Sequence, residues 1–164
     1  MQQGEHWIDC LQAVAQGIPF AQALGFSEAD LEKIAGLAAA LCQEGRWESA
    51  LKLWAGLVSL QPERAEFWSA LGSTLTRMGR HEEAIPVLTL ALRMDPTDTA
   101  ALVNRGECYI ATAQIEAAVA DLEAVIRQDT AETDPVAHRA RQLVYALREF
   151  LVRTLEACPG QDGK

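Results

Sequence analysis

The sequence predicts an all-α fold, a solenoid of three helical hairpins with N-terminal helices before them and a C-terminal capping helix after them. Three observations predict it. The stretches Gly45-Arg46-Trp47-Glu48-Ser49-Ala50, Gly79-Arg80-His81-Glu82-Glu83-Ala84 and Ala113-Gln114-Ile115-Glu116-Ala117-Ala118 recur with a 34-residue step. Further columns keep the same step: Ala38, Gly72, Gly106; Leu41, Leu75, Tyr109; Trp54, Leu88, Leu122; and Leu57, Ala91, Val125. Finally, 164 residues with 49% apolar side chains suffice for one packed domain. One domain over 1–157 is expected, with a disordered tail at 158–164.

Residues 5–24 carry Ile8, Leu11, Ala15, Phe20 and Leu24, interrupted by Gly17 and Pro19. They predict a short helix, a kink and a second short helix inside an N-terminal extension over 1–30. Ser27-Glu28-Ala29-Asp30 has the S-x-x-[DE] form of a capping box before Leu31. The repeats are then placed at 31–64, 65–98 and 99–132. The middle one carries Trp68, Leu71, Gly72, Gly79, Ala84, Ala91 and Pro96 in order, and so resembles the tetratricopeptide repeat, which has the same period. Packing explains these residue types. Small side chains at Ala38, Gly72 and Gly106, and at Ala50, Ala84 and Ala118, let paired backbones approach. Gly45 and Gly79 suit a left-handed turn between the helices. Ala113 in the third copy implies either a turn free of positive φ or a strained one. Pro62 and Pro96 suit the junctions between repeats. Asp134-Pro135 opens a capping helix over 136–157, with Ala140, Leu143, Val144, Leu147 and Leu151 on one face.

Composition narrows the function. With 14 basic against 23 acidic residues the net charge is −9, which argues against a nucleic-acid partner or an anionic membrane surface. No apolar run approaches the ~20 residues of a membrane span. The first basic residue is Lys33, so the N-terminus lacks a basic signal region and a cytoplasmic location is expected. Cys10, Cys42, Cys108 and Cys158 form no C-x-x-C pair and lie far in sequence from His6, His81 and His138. Reduced thiols are expected, with no metal site. No P-loop, GxGxxG or GxSxG is present, so neither a cofactor nor catalysis is expected. Glu107 beside Cys108 reads as a surface acid next to a packed thiol.

Stacked hairpins leave a concave face lined by the first helix of each repeat. Repeat positions 2, 5, 9 and 12 fall on it: Glu32, Ala35, Ala39 and Cys42; Glu66, Ser69, Ser73 and Thr76; then Ala100, Val103, Glu107 and Ile110. This lining is small, partly apolar and mildly acidic, and suits an apolar peptide. Tetratricopeptide domains that grip a free carboxylate use Lys and Asn on these rows. None stands here, and such a clamp is not expected.

Gly25-Phe26-Ser27-Glu28-Ala29-Asp30-Leu31-Glu32, Leu37-Ala38 followed by Gly45-Arg46-Trp47-Glu48-Ser49-Ala50, and Glu107-Cys108-Tyr109-Ile110 together give a closer resemblance. Over about residues 16–130 the chain resembles the class II chaperones of bacterial type III secretion, which escort hydrophobic translocators. The resemblance implies a cytoplasmic, non-catalytic binder of an N-terminal segment of a translocator-like secreted protein, with no insertion into a membrane. It also implies a homodimer through the N-terminal helices, for which Trp7, Ile8, Leu11 and Phe20 are the candidates. Their alternative role is packing on the first repeat. The family places aromatics on the first-repeat groove positions, where this chain has Ala35, Ala39 and Cys42. That departure implies wider pockets. A generic tetratricopeptide adaptor or assembly factor is the competing reading.

Overall fold

The structure, a computed structural model, describes residue 10, residues 12–129 and residues 133–157, the side chains of 154–157 excepted. Trp7, Ile8, Leu11, Cys158 and the tail from 158 lie outside the described residues. A short helix α1 (Phe20–Ala23) precedes three hairpins: α2 (Glu28–Gln43) with α3 (Trp47–Leu60), α4 (Ala65–Arg77) with α5 (His81–Met94), and α6 (Thr99–Ala111) with α7 (Ile115–Gln128). The long α8 (Pro135–Ala157) closes the stack. Among the described residues there is no strand.

Local chemistry sets the helix ends. The Asp30 amide donates to Ser27 Oγ at 3.2 Å, and the Ser27 amide donates back to Asp30 Oδ2 at 3.1 Å. Two donors that α2 would otherwise leave unsatisfied are thereby paired. Gly45 and Gly79 turn each hairpin at φ 75° and 74°. Ala113 does the same at φ 59°, so the third turn is the strained alternative. An L-residue there costs about 1–2 kcal/mol that glycine avoids.

The recurring sequence step is a step in packing. Ala38, Ala50, Ala84 and Ala118 are fully buried where paired helices cross. So is Ala140 on α8, one repeat step after Gly106. The capping helix therefore takes the place of the first helix of a fourth repeat. Its inner face holds buried Ala137, Ala140 and Leu147 and half-buried Leu143 and Val144. Leu151, assigned to that face from sequence, is 43% exposed because it lies past the end of the body. Two clusters form a continuous core, one around Leu31, Trp54, Leu57 and Phe67 and the other around Leu88, Leu122 and Val125. Arg105 ties α6 to both neighbours: it donates to Asp121 Oδ2 at 2.7 Å and Oδ1 at 2.8 Å on α7, and to Thr89 Oγ1 at 3.0 Å on α5.

Candidate functional site: a cleft between the first two repeats

The lining expected from sequence divides into three environments. Ala39, Cys42 and Ser73 come together in a cleft of about 230 Å³ between α2 and α4. Ala70, Thr74 and Arg77 of α4 complete its walls, and Trp47 and Trp54 of α3 contribute the aromatic surface. Half-buried Ala35 packs against the core beside it. Small residues on α2 have a direct consequence: with no large side chain above them, the indoles of the second helix are reachable. Trp54 is 7% exposed and stacks at a tilt on Phe67, with 6.2 Å between ring centroids. The Arg77 guanidinium lies 5.5 Å from the Trp47 ring, a cation–π contact at the rim. Cys42 Sγ and Thr74 Oγ1 are 3.5 Å apart across the α2–α4 seam, and Thr74 donates to the Ala70 carbonyl at 2.8 Å.

Glu32 and Glu66 stand elsewhere, around one arginine at the start of these helices. Arg64 Nη1 donates to Glu28 at 2.7 Å and Glu32 at 2.8 Å, while its Nε donates to Glu66 at 2.7 Å. Its guanidinium also lies 4.3 Å from the Phe67 ring centroid. Burial acts to raise the Glu66 carboxyl, but a backbone hydrogen bond and Arg64 outweigh it and hold it below the usual range. These carboxylates are already paired, which removes much of the acidity expected of the lining.

The third group is internal. Val103 is 2% exposed, and Ser69 and Thr76 are 8% and 7% exposed. Val103 packs in the core with Ala137 and Ala140 of the capping helix, a neighbour that helical spacing alone does not reveal. The Thr76 hydroxyl donates to the Gly72 carbonyl at 2.9 Å and lies 3.2 Å from Cys108 Sγ. Burial pushes the Cys108 thiol up, so it stays protonated and unreactive. Glu107 is ion-paired to Arg139 at 2.5 Å, and Ile110 lines a separate corner against α8. Ala100 is exposed. Phe20, proposed for a dimer surface, is 42% exposed.

The seams between first helices thus differ. Between α4 and α6, Asn104 donates to Ser73 Oγ at 2.8 Å. Between α6 and α8, Arg139 holds Glu107. Between α2 and α4 the positions matching Ser73 and Asn104 are Ala39 and Ala70, which cannot bridge, and the cleft opens there. Among the described residues no three His, Cys, Asp or Glu side chains cluster as metal ligands, and no helix is long and apolar enough to cross a membrane.

Two tetratricopeptide-repeat family models match the chain, one over residues 36–99 and one over residues 75–143, together more than half of it. The chain belongs to the tetratricopeptide-repeat family. Protein FlbA of Caulobacter vibrioides is 31% identical to this tetratricopeptide-repeat chain over 105 residues, which are 64% of the chain and 18% of FlbA. The chain therefore spans about a fifth of the length of that relative. Its fold is shared with the type III secretion translocator chaperone SycD of Yersinia enterocolitica, at TM-score 0.68 and 22% identity, covering 77% of this chain and 96% of SycD. It is shared too with PcrH bound to the chaperone-binding region of PopD, at TM-score 0.70 and 23% identity, covering 76% and 96%. PcrH comes from Pseudomonas aeruginosa.

Proposed function

We propose that this chain is a chaperone of bacterial type III secretion that holds a hydrophobic segment of a translocator protein in its concave face, anchored in the α2–α4 cleft. The cleft itself carries the reading: small walls at Ala39 and Ala70 beside indoles at Trp47 and Trp54, in a first-helix groove with no Lys or Asn clamp. Support comes from the shared fold, since PcrH has been crystallised with chaperone-binding regions of PopD and PopB, and SycD with a peptide of YopD.

The physics suits a releasable holdase. A volume of about 230 Å³ admits one apolar side chain, and burying one of Leu or Phe size contributes about 1.5–3 kcal/mol. Cys42, Ala35 and Ser73 border that anchor. The rest of the segment would run past Glu32, Glu66, Glu107 and Ile110, displacing solvent with little pocket depth. Ser69, Thr76 and Val103 support the groove from beneath. Ordering costs offset most of the gross gain, so affinity stays moderate. A net charge of −9 keeps a complex with an aggregation-prone client dispersed. The location proposed is the cytoplasm. Phe20, with Trp7, Ile8 and Leu11, remains the proposed N-terminal dimer surface.

The test is co-expression with candidate translocators, followed by titration calorimetry of an N-terminal translocator peptide. A client that becomes soluble only with this chain, and whose peptide loses binding to Ala39→Glu at unchanged helicity, is the expected result. A carboxylate at that exposed position would have to be desolvated over the cleft. Undiminished binding to Ala39→Glu places the site elsewhere. The adaptor reading draws on one observation, the higher identity to FlbA than to the chaperones of known structure. Clients that stay insoluble with this chain favour it.

A further inference from the structure

Ala70, Ser73, Thr74 and Arg77 stand three or four residues apart on α4 and so share one face, the face that walls the α2–α4 cleft. The first three are small. Arg77 is exposed, in the last turn of α4, where the helix dipole favours a cation. Its guanidinium rests 5.5 Å from the Trp47 ring at the rim of the cleft, and it makes no ion pair among the described residues. Other arginines near it in the stack are engaged: Arg64 at the start of α4, Arg105 on α6 and Arg139 on α8 each hold a carboxylate. Glu48 borders a neighbouring hollow together with Arg77 and is not paired to it.

This cation is a departure from the repeat. One step before and one step after Arg77 stand Gln43 and Ala111, and one step after Trp47 stands His81. Where Arg77 borders a hollow with Trp47, the next seam has Ala111 bordering one with His81. The small walls at Ala39 and Ala70 and the unpaired cation therefore occur together, in one seam. A hole of about 230 Å³ walled by alanines and indoles takes an uncharged side chain. The guanidinium at its rim is left for an anion. One segment satisfies both when a carboxylate follows or precedes its apolar anchor. An extended chain advances about 3.3 Å per residue, so a carboxylate one or two residues from the anchor stays within reach of the rim.

We propose that Arg77 selects the client: the segment held in the α2–α4 cleft carries an Asp or Glu within two residues of its apolar anchor, and that carboxylate pairs with Arg77. The inference rests on the chaperone reading and narrows it from an apolar segment to an apolar–acidic one. Because the pair lies at a rim, screened by solvent, it tunes affinity and selection among clients, while the buried anchor supplies most of the attraction.

N-terminal translocator peptides with amidated C-termini, taken from clients that the full chain solubilises, are the probes. They are titrated into the parent and its variants by calorimetry. The bound peptide is expected to carry such an acid. Replacing it by its amide, or Arg77→Gln in the chain, should each weaken binding about threefold to tenfold at low salt, and the two changes together should weaken it little further. Arg77→Glu should bind the acidic peptide more weakly still, and recover affinity for a peptide with Lys in place of the acid. A cation that serves only the end of α4 would shift the melting temperature and leave these couplings at zero. Parental affinity in Arg77→Gln, additive losses, no recovery in the charge exchange, or a bound segment without an acid within two residues of any apolar side chain each overturn the inference. If those results come with binding that Ala39→Glu still abolishes, the chaperone reading stands and the role of Arg77 falls alone. If the parent binds no translocator peptide, the chaperone reading fails and takes this inference with it.

Discussion

Adding one methyl group at Gly72 tests whether the repeat step is a packing step. A Cβ there would lie 2.5 Å from Cγ and 2.6 Å from Cδ2 of Leu88, where carbon atoms prefer roughly 3.5–4.0 Å. Leu88 is fully buried, so its side chain has no solvent to swing into. Either Leu88 leaves its rotamer or α4 and α5 part, and overpacking of this kind costs about 1–3 kcal/mol. Exchanging glycine for alanine within a helix returns about 1 kcal/mol. Contacts this short place Gly72 in the upper part of that range, about 2–3 kcal/mol, so the net expectation for Gly72→Ala is a loss of about 1–2 kcal/mol, or a melting point lower by about 2–8 °C for a chain of this size. Gly106 is the internal control. Its added Cβ would lie 3.1 Å from Leu122, which asks only a few tenths of an ångström of that neighbour. Gly106→Ala should then fall within about 0.5 kcal/mol of the parent, as propensity and crowding cancel. Thermal and urea unfolding followed by circular dichroism measure both variants. Trimming the obstacle gives a second check: Gly72→Ala with Leu88→Ala should cost less than the two single changes added together. If Gly106→Ala proves the more damaging variant, or Gly72→Ala melts with the parent, the close approach of α4 and α5 is not what glycine is there for.

Two further outcomes follow from the ion pairs. Arg105→Ala strands the 7% exposed Asp121 carboxylate and should cost about 3–5 kcal/mol, while Arg105→Met with Asp121→Leu should recover most of that loss in the same unfolding assay. In acid, Asp30 is held below its ordinary value by hydrogen bonds from Ser27, Glu83 by Arg80, and Asp95 by hydrogen bonds from Thr97. Groups depressed in the folded state contribute stability above their ordinary values, and it is lost as pH falls through the folded ones. Urea midpoints should therefore stay level above about pH 5 and decline below about pH 4, and a midpoint that rises on acidification would contradict these assignments.

The fold was legible because its determinants are local in kind and repeated. Small residues at fully buried crossings, glycines at positive φ and a capping box are each visible in a single repeat, and three copies multiply the signal. Ala113 could be narrowed from sequence to two alternatives only, since backbone strain becomes visible with φ itself. The candidate site was half legible. Helical spacing assigns a residue to a face but does not say what lies over that face. Val103 and Thr76 are covered by partners a repeat away in sequence, and no pattern within one helix reveals them. Trp47 and Trp54 were missed as lining for the opposite reason. They belong to a second helix, where large apolar residues read as packing, and they reach the cleft only because Ala39 and Ala70 leave it open. The signal that could have found them is that Ala39 and Ser73, and Ala70 and Asn104, occupy equivalent positions with unlike chemistry.

That inequality between seams can be turned into an experiment on the groove. If the Asn104–Ser73 hydrogen bond is what closes the α4–α6 seam, its donor and acceptor should close the other seam when transplanted one repeat back. Ala39→Ser with Ala70→Asn places a hydroxyl and an amide at the matching positions of α2 and α4, over the indoles of Trp47 and Trp54. The pair should preserve or slightly raise stability, because a satisfied side-chain hydrogen bond contributes about 0.5–1.5 kcal/mol, while filling the space an anchoring side chain needs. Translocator-peptide affinity should fall at least tenfold with no loss of melting temperature, and the response of tryptophan fluorescence to peptide should disappear. Ala39→Ser alone keeps the cleft nearly its present size and should bind as the parent does. A graft that folds well and still takes the peptide at parental affinity would mean that the opening beside the two indoles is incidental, and that whatever this solenoid holds is held along a different part of its surface.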